Sequence, residues 1–145
     1  MKTTILLSAL IFAFGGAVAQ NLSPEQVPSV VANGLRVAYP KVADLEWKLK
    51  DDLYHADFEI GKDDYDVWLD ATGKIVKRKY EIASTHLPTA VQATLKKEYA
   101  AYRIDDVEKI EVNGTSTYTV ELKKVKEEID LVFSEDGKVL ERKAD

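Results

Sequence analysis

The chain has 145 residues, with 25 acidic against 20 basic side chains, a formal charge of −5 and no cysteine. That length suits one domain, and an acidic balance with dispersed lysines argues against nucleic acid or an anionic membrane surface as partner. Without cysteine there is no disulfide and no thiol nucleophile, so packing alone must hold the fold.

The first stretch reads as a secretory signal peptide over residues 1–19. Lys2 supplies a short positive region, Ile5 to Phe14 an apolar run, and Ala17-Val18-Ala19 a small-x-small cleavage site. The run is shorter than the ~20 apolar residues that span a bilayer, and Gly15-Gly16 closes it. The reading predicts a chain that starts at Gln20, is exported to the periplasm or beyond, and keeps no stable membrane insertion after cleavage. Residues 20–145 are expected to form a single domain.

That remainder reads as one unit written twice, over about 24–81 and 84–145. Val27-Pro28-Ser29-Val30-Val31 answers Leu87-Pro88-Thr89-Ala90-Val91, and Tyr39 answers Tyr99. Val67-Trp68-Leu69-Asp70-Ala71-Thr72-Gly73-Lys74-Ile75 answers Leu131-Val132-Phe133-Ser134-Glu135-Asp136-Gly137-Lys138-Val139. Each unit predicts a helix and then four strands. Val27, Val31, Leu35 and Ala38 recur at helical spacing, as do Leu87, Val91, Leu95 and Tyr99; Pro28 and Pro88 suit the first turn, and Pro40 ends the first helix. Strand alternation follows in Leu45, Trp47 and Leu49, in Tyr54, Ala56, Phe58 and Ile60, and in Tyr65, Val67 and Leu69. Turns fall at Asp51-Asp52, at Gly61 to Asp64, at Asn113-Gly114, and at Gly73 and Gly137. No flexible linker joins the units. The expected fold is therefore α+β: a tandem repeat of one helix and four antiparallel strands, forming one continuous antiparallel sheet with both helices on one face.

The hydrophobe-Pro pair that opens each helix, the strand ending in Tyr-x-Val/Ala-x-Phe/Leu, and the final hairpin with an acidic residue before Gly-Lys-Val/Ile resemble the PepSY-like proteins. These are small exported bacterial proteins that share a fold with the secreted inhibitor of β-lactamase. The resemblance runs from Val27 to Lys143. It implies two helices on one face of an eight-stranded sheet and, by analogy of fold, a role in binding or inhibiting another extracytoplasmic protein. No inhibitory loop motif is carried over, because none is matched.

Catalytic and metal chemistry finds few candidates. His55 falls on the solvent side of a strand and His86 in the connection between units, and two isolated histidines do not make a zinc site. Asp63, Asp64, Asp66 and Asp70 lack the spacing of a calcium loop. The expectation is a non-enzymatic module without cofactor or metal, whose partner is another exported or envelope protein. The alternative is a carrier that holds an apolar ligand between helices and sheet, in a cavity lined by Trp47, Tyr54 and Tyr65.

Counting through the last hairpin of each unit places the candidate binding face. Three-residue loops at Ala71-Thr72-Gly73 and Glu135-Asp136-Gly137 would pair Asp70 with Lys74, Leu69 with Ile75, Trp68 with Val76 and Asp66 with Arg78. In the second unit they would pair Phe133 with Val139, Val132 with Leu140 and Asp130 with Arg142. With Leu69 and Phe133 towards the helices, Trp68, Val76, Val132 and Leu140 come to the open face, each apolar pair followed by an Asp–Arg pair. Trp68 is the expected anchor. The same count turns Lys77 and Lys79 inward, and leaves Gln20 to Gln26 as a segment that could cover the face.

Overall fold

The computed structural model describes residues 18–144. Lys2, the Ile5–Phe14 run and Ala17 of the signal-peptide reading lie outside the described residues. In chain order the elements are β1 (Gln20–Leu22), α1 (Ser29–Ala38), β2 (Ala43–Lys50), β3 (Leu53–Ile60), β4 (Asp63–Leu69) and β5 (Ile75–Glu81). Then come α2 (Thr89–Glu98), β6 (Arg103–Val112), β7 (Thr115–Lys124), β8 (Glu127–Ser134) and β9 (Val139–Ala144). A turn of 3-10 helix precedes each α-helix, at Pro24–Gln26 and Ser84–His86.

The strands form one antiparallel sheet in sequential order, β1 to β9. The expected sheet is continuous but has nine strands, not eight. The segment after Ala19 does not lie across the open face: Gln20, Asn21 and Leu22 pair with Leu49, Lys48 and Trp47 at the edge. Leu22 then packs on the first core, which helps hold a strand of only three residues.

Both helices are too short to persist alone, so their apolar stripes must find the sheet. Val31 and Leu35 of α1, with Val27 before it, bury against Trp47, Ala56, Phe58, Val67 and Leu69. Val91 and Leu95 of α2, with Leu87, bury against Val107, Tyr118, Val120, Leu122, Ile129, Leu131 and Phe133. These are two clusters on one face of one sheet. Pro28 and Pro88 sit one place before the first helical residue, and their carbonyls accept the first helical N–H groups. Tyr39 caps α1 just ahead of Pro40.

The hairpins after β4 and β8 tuck beneath the helices. Asp70 N–H donates to the Lys74 carbonyl, and Ser134 N–H to that of Lys138. Gly73 and Gly137 follow with φ of +83° and +84°. A side chain at Gly137 would put its Cβ 2.5 Å from the Ala90 carbonyl oxygen of α2, and Gly73 meets Val30 of α1 in the same way. The short turns at Asp51-Asp52 and Asn113-Gly114 both have positive φ throughout, which matches the twist of tight hairpins.

Candidate functional site

The helices cover one face of the sheet, and alternate residues of every strand point the other way. Cross-strand register orders those residues into rows. One runs Lys48, His55, Trp68, Lys77, Val112 and Thr115 from β2 to β7. The next runs Glu46, Asp57, Asp66, Lys79, Ile110 and Thr117. A third holds Glu59, Asp64, Glu81, Glu108, Thr119 and Val132.

Trp68 is the best-defined part of this face. Its ring stacks on His55 with centroids 4.4 Å apart and planes 3° from parallel. The Lys77 ammonium lies 4.4 Å from the ring centroid, within the range of a cation–π contact. His55 Nε2–H in turn donates to Asp66 Oδ1 at 2.5 Å. That hydrogen bond holds the Asp66 carboxyl below its ordinary value, against a smaller opposing effect of burial, and the charges of His55, Lys79 and Lys48 add to it. The tryptophan is thus fixed on both sides before any partner arrives.

Beside this cluster the charge turns negative. Asp64, Glu81, Glu108 and Asp106 gather where β4, β5 and β6 meet. Repulsion from Asp106 first, then a hydrogen bond shared with it, raises the Glu81 carboxyl above its ordinary value, and burial, Asp64 and Glu108 add to the rise. No group of three or more His, Asp or Glu among the described residues is arranged to hold a metal.

The register corrects the pairing count. Leu69 does oppose Ile75, and Phe133 does oppose Val139. Beyond them each hairpin carries a bulge, between Trp68 and Leu69 and between Val132 and Phe133. Trp68 therefore opposes Lys77 rather than Val76, and Val132 opposes Glu141 rather than Leu140. Asp66 opposes Lys79, not Arg78, and Asp130 opposes Lys143, not Arg142. One inserted residue shifts every later pair by one and reverses its face. Arg78 and Arg142, opposite Val67 and Leu131, consequently lie on the helix side. The same shift brings Lys77 and Lys79 out to the open face. Val76 and Leu140 are the extra residues of the two bulges, and Leu140 is 58% exposed.

Trp68, Asp66, Val132 and Asp130 stay on the open face, with Val132 four strands from Trp68. The apolar neighbours that the count missed are Ile110 and Val112 of β6. Their signal was present: apolar residues at 107 and 110 cannot share a face of a regular strand, so the pattern inverts within β6. Trp47, Tyr54 and Tyr65 belong to the first core. Trp47 is 5% exposed, and Tyr65 stacks on Phe58 with centroids 5.6 Å apart.

Comparison with known proteins places this architecture. Residues 52–141 match the profile of a family described as β-lactamase-inhibitor-like and PepSY-like. A β-lactamase-inhibitor-like protein from Bacteroides fragilis is similar in structure, with a TM-score of 0.65 and 27% identity, covering 85% of this chain and 87% of its own. A protein from Bacteroides eggerthii described as periplasmic shares the fold with a TM-score of 0.70 at 20% identity, over 81% of this chain and 88% of its own. Comparison with curated proteins finds no match. No helix among the described residues is long and apolar enough to cross a membrane. With the profile spanning well over half its length, this chain belongs to the PepSY-like family.

Proposed function

We propose that the protein is exported and uses the open face of its sheet to bind another extracytoplasmic protein, with Trp68 as anchor. The observation that carries this reading is the Trp68 ring. It lies on the face the helices leave uncovered, held between His55 and Lys77. Two open-face residues of β6, across β5 from Trp68, are the apolar Ile110 and Val112, and Val112 is 42% exposed. A rigid aromatic beside apolar ground and ringed by charge has the make-up of an interface centre, because its ordering cost is already met before binding. The acidic residues Asp64, Glu81, Glu108 and Asp106 favour a partner that is basic where it meets β4 to β6. Inhibition of an enzyme is one form this binding can take, and membership of an inhibitor-like family supports it.

Trp68→Ala tests the reading. Trp68 gives up a stack and a cation–π contact, on the order of 1–2 kcal/mol together, whereas a buried core tryptophan such as Trp47 costs about 3–5 kcal/mol. The variant should therefore stay folded. Captured from an envelope extract, a specific exported partner should be retained by the wild type and lost by Trp68→Ala. Equal retention by both proteins would remove Trp68 from the interface.

A further inference from the structure

A cavity of about 500 Å³ opens on the helix side of the sheet, where β5 of the first half pairs with β6 of the second. Its wall includes Lys74, Ile75, Val76, Arg78, Glu111 and Ser116. By register Arg78 opposes Glu111 and Glu111 opposes Ser116, so these three side chains share the helix-side face. The Asn113-Gly114 turn closes one end.

Arg78 lies over the Tyr39 ring, its Cζ 5.8 Å from the centroid, but its hydrogen-bonding groups are poorly satisfied. Its Nε is the buried side-chain nitrogen or oxygen without a hydrogen-bond partner among the described residues. Its Nη1 reaches Glu111 Oε2 only at 3.7 Å, too far for a hydrogen bond. Glu111 meanwhile spends Oε1 on Lys109, at 3.0 Å. A guanidinium presents a planar fork of five donors, and a buried donor left open asks for an acceptor. The Nε is covered, but the side chain as a whole is 40% exposed and open to a ligand from solvent.

We propose that this cavity binds a small monocarboxylate with a short apolar body, its carboxylate taken by Arg78. The charges of the wall favour an anion. Lys74 and Arg78 supply two positive charges, and the one carboxylate, Glu111, is already engaged by Lys109, while Lys77, though it lines the wall, carries its ammonium over the Trp68 ring on the opposite face. The apolar stretch of the wall favours a carboxylate on a small apolar body over a strongly hydrated dianion such as phosphate. Guanidinium and carboxylate match as a bidentate pair, and Ile75 and Val76 give the apolar body a surface. This site lies on the other side of the sheet from the open face and does not depend on it.

The test is a titration of isotope-labelled protein followed by nuclear magnetic resonance, with N-acetylvaline, its amide and inorganic phosphate as probes. N-acetylvaline should shift the Arg78 Nε–H signal and the Gly114 and Ser116 amides saturably, and the amide should not. Arg78→Gln should weaken binding at least about tenfold, the loss of a charge-assisted contact. Should Arg78→Gln fail to fold, Lys74→Gln, in an exposed turn, should weaken it several-fold, and Glu111→Gln should tighten it. No saturable shift with N-acetylvaline, or phosphate binding as tightly, would overturn the proposal.

Discussion

His55 and Asp66 tie the open face together one side chain at a time, and their bond sets a pH dependence. The Asp66 carboxyl lies below its ordinary value of 3.8 chiefly because it accepts the His55 hydrogen bond. A carboxylate whose folded value is depressed adds stability above its unfolded value, and that stability is lost as pH falls through the folded one. Lys48 and Lys79 face the same carboxylate and favour the charged form as well. Asp66→Asn keeps an acceptor for His55 but removes the charge. At pH 7 it should cost roughly 1 kcal/mol, a charged hydrogen bond discounted for partial exposure. Denaturant titrations in steps from pH 7 to below pH 4 should show a gap from wild type that does not shrink until about pH 4 and narrows below it. A gap that stays constant into acid would mean that the charge contributes nothing.

At the scale of elements, the glycine hairpins fasten each helix to its own strands. Gly73 combines a φ of +83° with a place against the Val30 carbonyl of α1, so Gly73→Ala meets both backbone strain and a steric clash. It should destabilise the protein by about 2–4 kcal/mol in urea unfolding. Gly114, also at positive φ but with nothing within 4 Å, should tolerate alanine better, since only the strain applies. A smaller loss for Gly73→Ala than for Gly114→Ala would contradict the docking. The helices and eight of the strands were legible in the sequence, because burial imposes a period on their apolar residues and glycine marks the turns. β1 was not, since Gln20 and Asn21 pair through backbone alone and only Leu22 adds an apolar contact. The bulges defeated the residue count that placed the binding face. Their mark was the adjacent apolar pairs Ile75-Val76 and Val139-Leu140, which a regular half-buried strand would not carry. Trp68 and Val132 kept their face because they precede the bulges, whereas Arg78 and Arg142 follow them.

For the whole molecule, the question is how two separate hydrophobic clusters behave as one protein. Neither cluster shares a buried residue with the other, and the link between them is the β5–β6 ladder. That ladder runs from Lys77↔Val112 to Glu81↔Glu108, with Ile82 N–H donating to the Val107 carbonyl beyond its end and Lys79 pairing with Glu108 at 3.5 Å. If the second half unfolded alone, β5 would lose its neighbour and expose a row of backbone donors and acceptors along its length. The two halves should therefore unfold together. The position of the two tryptophans makes this measurable, since Trp47 and Trp68 both lie before α2 and report the first half only, while far-UV circular dichroism reports both. Phe133 is fully buried in the second cluster, and Phe133→Ala should cost about 3–5 kcal/mol. In a cooperative protein that loss lowers the fluorescence midpoint as much as the dichroism midpoint, although the substitution lies far from either indole. If fluorescence keeps its wild-type midpoint while dichroism splits into two steps, the halves are independent and the shared sheet does not couple them.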